Sequence, residues 1–426
     1  MIESGVMARR ISSRWALGSR RRLFLVLATS LLVLLVAACS EDESASSDDG
    51  DPIRIGWVGP LSEGAVAGGN EMLAAAEIAV DEINAEGGVL GRPLELVTRD
   101  TMADPEVGTS AMEELIDDEG VALVVGGLHS SVVVSQIEVA HDRGVPFVVA
   151  DAWADEITAA QYKEVFRIAP VNSLIYEAVG AWLQSADFDD VVIVAETTAF
   201  GTEASALIRD GLTSNGSAVT VIDVDAADID IDDVVSRIQG GSHDLVMMLV
   251  ASDTVYPVIT AVCEAGLAPS STTALYVGAG TGDTTTFWDQ VGSCGRYVIA
   301  EYLVMPTDQW NDLASGLAAE LDMPDGGITS GGLASYDSIL LAADAIERAG
   351  STDPGDISAA LVTTDLVGSR GEYSFSEGTE PAWHYQQFLD APVTIIQYSE
   401  VGQSPASALI LAPDRWATTD GLLAPG

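Results

Sequence analysis

From Ile53 onward the chain alternates short β-branched apolar runs with longer stretches of helical period, and this alternation restricts the fold more than any other feature. The first series reads IRIGWV (53–58), NEMLAAAEIAVDEINAEGG (70–88), PLELVTRD (93–100), PEVGTSAMEELIDDEG (105–120) and VALVVGG (121–127), then SVVVSQIEVAHDRG (131–144) and VPFVVAD (145–151). Strand and helix in turn at this spacing predict βαβ units around a parallel sheet covered on both faces. In the 70–84 helix, Ala76, Val80 and Ile83 share one face, Glu77, Asp81 and Glu82 lie elsewhere, and Gly87-Gly88 stops it. After Ala169-Pro170 a second series places helices at 173–186, 201–214, 230–239 and 254–265 between strands at 191–196, 217–224, 244–250, 274–280 and 296–304. The expected fold class is α/β, with two doubly wound parallel sheets in series. Small residues recur at strand ends, at Gly126-Gly127, Ala150 and Gly278, and ligands of open α/β sheets bind at such ends. Two sheets facing each other would form a cleft that closes on a small molecule.

The segment before this body reads as an address. Arg20-Arg21-Arg22 precedes Leu23–Ala38, an apolar run broken only by Thr29 and Ser30 and ending Val36-Ala37-Ala38-Cys39. A charged start, a short apolar stretch and small residues before a cleavage point describe an export signal over 1–38. A membrane-spanning helix usually needs about 20 apolar residues, so a span is the second reading. The cysteine at the cleavage point resembles the lipobox of bacterial lipoproteins, which makes Cys39 the expected lipidated first residue of the mature chain. Arg21-Arg22-Leu23-Phe24-Leu25 also weakly resembles a twin-arginine signal, and the export route stays open. Residues 39–52, acidic and Ser-rich, bury nothing and read as a tether.

Charge excludes several functions. Of 65 acidic and 18 basic residues, one acid and six arginines precede residue 39, which leaves 64 acids against 12 basic side chains in the rest. Such a body repels phosphate backbones, so no nucleic-acid partner is expected. The only lysine, Lys163, does not follow a Gly-rich loop, and the four histidines form no i, i+4 pair, so neither a P-loop nor a zincin helix is present. An EF-hand started at Asp228 finds Asp233 and Gln239 where Gly and Glu are needed, so these acids read as a solvated loop capping the 230–239 helix. Gly241-Ser242-His243-Asp244 crowds its side chains too closely for a catalytic triad. No metal, cofactor or catalytic residue is expected. Cys263 and Cys294, the only thiols of the exported body, are expected to form a disulfide, with two separate buried thiols as the alternative.

Several residues then carry a resemblance. Ile55-Gly56-Trp57-Val58-Gly59-Pro60-Leu61-Ser62, Ala76 to Asn84, Gly87-Gly88-Val89-Leu90-Gly91-Arg92, Asp100 and Asp104-Pro105 resemble the opening of type I periplasmic binding proteins, in particular the leucine/isoleucine/valine receptors of ABC importers. The similarity runs in register over roughly 53–390. It implies two lobes joined by a hinge that the chain crosses three times, with 53–170 plus 304–385 in lobe 1 and 171–303 plus 386–426 in lobe 2.

The same resemblance implies a set of ligand contacts. In amino-acid-binding members a serine after the third strand holds the ligand carboxylate at a helix start, and Ser130, beside Ser131, takes that place. A helix start offers free N–H donors whatever the family, though a serine there is equally an N-cap. The next loop has Asp151-Ala152-Trp153. Ala152 matches, whereas Trp153 replaces a threonine and Asp151 is an added carboxylate, readable as cation partner and aromatic wall or as helix cap and packing. In lobe 2, Phe200 stands for a stacking tyrosine, and the glutamate that pairs with a ligand ammonium falls at Gly280. Asp151, Asp253 or Asp283 would have to replace it, or the ligand lacks an amino-acid head. Tyr336 matches an aromatic near the cleft, with packing as its favoured role. The implied protein is a monomeric, membrane-anchored receptor for a small polar ligand that engages ABC permease subunits. The alternatives are a ligand sensor acting on a signalling partner and an exported hydrolase.

Overall fold

The computed structural model describes residues 50–284, 286–321, 328–419 and 421–426, so the export segment and Cys39 lie outside the described residues. The first half runs β1 (Ile53–Gly59), α1 (Val66–Ala85), β2 (Leu94–Asp100), α2 (Pro105–Glu113), a π-helical turn at Glu114–Asp118, β3 (Leu123–Gly126), α3 (Ser130–Arg143), β4 (Phe147–Val149), α4 (Glu156–Ala159) and β5 (Val165–Arg167). Its strands form one parallel sheet in the order β2-β1-β3-β4-β5. β1 is buried on both faces. Ile53, Ile55 and Trp57 join one apolar cluster and Val58 another, which is why the strand reads as a continuous apolar run rather than as an alternation.

The chain then enters a second sheet through α5 (Asn172–Ser185), β6 (Asp190–Glu196), α6 (Ala199–Ser214), β7 (Ala218–Val224), α7 (Ile231–Gln239), β8 (Leu245–Leu249), α8 (Val255–Glu264), β9 (Ala274–Val277), α9 (Phe287–Val291) and β10 (Ile299–Tyr302). Asp230 caps α7 by accepting the Asp233 N–H at 3.0 Å. The chain returns through α10 (Asp308–Glu320), α11 (Ser330–Ala349) and α12 (Pro354–Val362) to a small hairpin, β11 (Leu366–Gly368) with β12 (Gly371–Tyr373). α11 lies against the first sheet, where its Ser335 hydroxyl accepts the Trp57 indole N–H at 3.1 Å. A last passage leads to β13 (Thr394–Gln397) and β14 (Leu409–Ala412).

The second sheet has the order β14-β13-β10-β9-β8-β6-β7. It departs from the expected wholly parallel form, because β13 runs antiparallel to β10 and to β14. The long passage through α10, α11, α12 and the small hairpin brings the chain back beside β10 running in the opposite direction, and β14 then pairs with β13 as the edge strand. Cys263 at the end of α8 and Cys294 beyond α9 are joined by a disulfide with Cα atoms 5.9 Å apart. Converting both to alanine should lower stability by about 2–4 kcal/mol, the usual effect of releasing a loop of this length. Urea denaturation with and without reductant checks this, since the double variant should match the reduced wild type.

Candidate functional site

The carboxyl ends of the two sheets carry loops that meet one another. The Ser131 hydroxyl in α3 accepts the Ala199 N–H at the start of α6, at 3.1 Å. His129 Nε2 lies 3.1 Å from the Ala251 carbonyl, so it carries the proton and donates. The Asp253 N–H donates to the Gly64 carbonyl at 3.4 Å, and the Asp253 carboxyl, raised by burial, is pulled back down by the backbone N–H groups of Val66 and Ala67 at the start of α1. Asp283 Oδ2 accepts the N–H and hydroxyl of Ser330, the first residue of α11, at 3.2 and 2.9 Å. Two carboxylates from the second sheet's loops thus cap two helices of the first, where exposed N–H groups and the helix dipole favour negative charge. α1 is brought this close by Gly69, since a Cβ there would stand 1.7 Å from the Pro60 carbonyl oxygen.

Most of the residues singled out from sequence lie at this junction. Ser130 is buried, and its hydroxyl accepts the N–H groups of Trp153 and Ala154, both at 3.1 Å. It therefore pins the neighbouring loop rather than capping its own helix. Trp153 packs edge-on against Phe200, ring centres 5.7 Å apart, and Ala152 is fully buried in an apolar cluster of the first sheet. Gly280, in a left-handed conformation at φ 68°, donates its N–H to Glu301 at 3.2 Å.

The helix-cap reading of Asp151 is corrected, because α4 starts at Glu156 with Asp155 before it. Asp151 caps no helix, and its Oδ1 is held by Arg370 at 2.6 Å and by the Trp153 indole N–H at 3.3 Å. The Tyr336 hydroxyl donates to Glu82 of α1 at 2.5 Å.

Sequence reasoning passed over Arg370, Arg167, Glu301 and Tyr176. Arg370 is wholly buried and gives its protons to the carbonyls of Leu303, Ala150, Ile168 and Ser330 as well as to Asp151. Arg167 donates to Gln387, Thr158 and the carbonyls of Ala152 and Ala154, and burial pulls it down to about 9. A buried arginine beside a hairpin turn, in Gly368-Ser369-Arg370-Gly371, was the available signal. Burial pushes Asp283 up to about 8 against the pull of Ser330, with Asp151 and Glu301 adding to the rise. Glu301 is raised by burial too, although the Tyr276 hydroxyl and the Gly280 N–H donate to it. Burial lowers His129 to about 4, so it is neutral at pH 7. His129 Nδ1, Asp283 Oδ1 and the Tyr176 hydroxyl are buried with no hydrogen-bond partner. Among the described residues no cluster of His, Cys, Asp and Glu suits a metal ion, and no helix is long and apolar enough to cross a membrane.

Two α/β sheets, one parallel and one mixed, whose loop tips meet and between which the chain passes three times, define a two-lobed binding protein. The chain belongs to the periplasmic binding protein family, whose model matches residues 52–391, and its fold is the type I form. It is 25% identical over 343 residues to a leucine-, isoleucine-, valine-, threonine- and alanine-binding protein of Pseudomonas aeruginosa, covering 77% of this chain and 86% of that one. A Leu/Ile/Val/Thr-binding protein of Salmonella typhimurium is 27% identical over 198 residues, 46% of this chain and 54% of the relative, so that match spans about half the relative's length. The branched-chain amino acid transporter substrate-binding protein of Streptococcus pneumoniae, solved with isoleucine, superposes with a TM-score of 0.74 at 19% identity, covering 85% of this chain and all of that one. A solute-binding protein of an ABC transporter from Rhodopseudomonas palustris, solved with 3,4-dihydroxybenzoic acid, gives 0.74 at 17% identity over 88% of this chain and 99% of that one.

Two measurements probe this geometry. Asp151→Ala leaves the Arg370 guanidinium buried without its counter-charge and should cost about 3–5 kcal/mol in urea unfolding. Between the ordinary aspartate value and about 8, folded Asp283 holds a proton that the unfolded chain has released. Stability should therefore fall as pH rises across that window, by roughly a few kcal/mol in all. Asp283→Asn should flatten the slope in calorimetry from pH 5 to 8.

Proposed function

We propose that this protein is the extracytoplasmic solute-binding lipoprotein of an ABC importer. Its lobes, 53–170 plus 304–385 and 171–303 plus 386–426, close on a small polar ligand at the loop tips and present the closed form to permease subunits. The observation that carries this reading is the junction itself, where buried polar atoms stand unpaired beside Trp153 and Phe200 between loops of two sheets. Ser131–Ala199 and Asp253–α1 are bonds of the closed form. A ligand that touches both lobes only when they are closed shifts the open/closed balance by its differential affinity, and no chemistry on the ligand is involved. Ser130 acts by fixing the Trp153 loop, and Ser131, Asp151, Ala152, Phe200 and Gly280 shape the walls. The export segment ending at Cys39 and the acidic tether support an acylated anchor on the outer face of the membrane, with the body working as a monomer.

A thermal-shift screen of amino acids, amides, amines and aromatic acids should yield a ligand that raises the melting temperature with dose. Trp153→Ala should weaken that ligand at least tenfold, and an unchanged affinity would place the site elsewhere. Cys39→Ala should move the protein from the membrane to the soluble fraction on cell fractionation.

A further inference from the structure

The junction leaves unpaired a histidine nitrogen that accepts and a carboxyl oxygen that accepts once its proton has left. Asp283 Oδ1 has no partner although Oδ2 takes both Ser330 donors. His129, with its proton on Nε2 toward Ala251, presents Nδ1 as an unpaired acceptor. The donors that would hold a carboxylate are, in contrast, committed to the protein. Arg370 and Arg167 spend their protons on carbonyls, Asp151, Gln387 and Thr158. The Ser130 hydroxyl is occupied by two backbone N–H groups.

Charge points the same way. Asp151 and Glu301 both bear on the Asp283 carboxyl, and only Asp151 is matched by a guanidinium. Tyr176, its hydroxyl unpaired, feels Glu301 and Glu196. Gly280 leaves open the position between the groups that matter. A carbon attached there would lie 3.6 Å from the Trp153 ring and 3.9 Å from Asp283 Oδ1, with no closer neighbour. An unpaired carboxyl oxygen and the rim of an indole thus converge on the place a side chain at 280 would take, a pair of groups suited to a desolvated ammonium group.

We infer that the site takes an organic cation bearing N–H donors and no carboxylate, an alkylamine or diamine, with its ammonium group between Asp283 Oδ1 and the Trp153 ring. This assignment rests on the solute-receptor reading and names its ligand class. The amine donates to Asp283 Oδ1, and Glu301 supplies the second negative charge from behind Gly280. Asp283 gives its proton to solvent as the amine arrives.

The test is a titration of the full-length protein at pH 7 with propylamine, putrescine and agmatine, set against leucine and benzoate, read by calorimetry and thermal shift. The expected result is saturable amine binding with release of a proton, visible as a dependence of the heat on buffer, and no response to leucine or benzoate. Asp283→Asn, which keeps the Ser330 contact, should weaken the amine at least tenfold without lowering the melting temperature, and Glu301→Gln should weaken it less. Binding of leucine or benzoate without any amine, or amine affinity unchanged in Asp283→Asn, would overturn the assignment. Small-angle scattering separates the two readings: an amine that binds through Asp283 without compacting the protein keeps the cation site and sinks lobe closure, whereas compaction by leucine alone keeps the receptor and sinks the cation site.

Discussion

A guanidinium buried to zero exposure is the constraint around which the hinge region is organised. Removing Arg370 from water is tolerable only because its protons meet four carbonyls and one carboxylate. Those partners come from the ends of β4, β5 and β10 and from the start of α11, and it is after β5 and β10 that the chain leaves one sheet for the other. The arginine is itself held by its hairpin, since Asp337 Oδ2 accepts the Ser369 N–H, the Ser369 hydroxyl and the Tyr373 hydroxyl at 2.7, 2.6 and 2.7 Å. Asp151, two residues before Trp153, is thereby fixed in the wall of the junction by a hairpin 219 residues further along.

Around that fixed point the lobes meet through weak contacts of one design. A single hydrogen bond contributes about 1 kcal/mol net, so Ser131–Ala199, His129–Ala251 and the caps on α1 and α11 are individually reversible. That is what a closing device requires, because a contact strong enough to hold alone would leave nothing for a ligand to add. The large negative charge of the chain plays little part here. Most of its acids are exposed and screened by salt, whereas Asp151, Asp283 and Glu301 are buried, where charge is screened far less and burial favours the protonated form.

The βαβ rhythm made the two sheets readable, because both the helical and the strand periods are properties of neighbouring residues. Cys263 and Cys294 were readable for a different reason, being the only two thiols left after an export signal. Contacts made across long separations were not. Nothing near Asp151 announces Arg370, and Ser130 looks like an N-cap in sequence because the N–H groups it serves belong to a loop 23 and 24 residues away. The antiparallel β13 and β14 resemble any short apolar run, and only the direction of chain entry decides their pairing. Tyr336 sits on a helix that reaches the junction at Ser330, yet its hydroxyl is satisfied by Glu82 and turns to α1 instead.

Trp153 and Gly280 are best understood together. Compared with the receptors this chain resembles, one loop gains an indole where a threonine stands and the facing loop loses a glutamate side chain, so bulk moves from the second lobe to the first. On that resemblance an acid at the tip of the second lobe gives way to two buried acids, Asp283 and Glu301. A buried carboxylate with one oxygen unpaired is costly in the empty protein and relieved by a donor. In the empty protein Asp283 avoids that cost by keeping its proton, so an arriving amine must displace a proton and binds more weakly as pH falls below about 8.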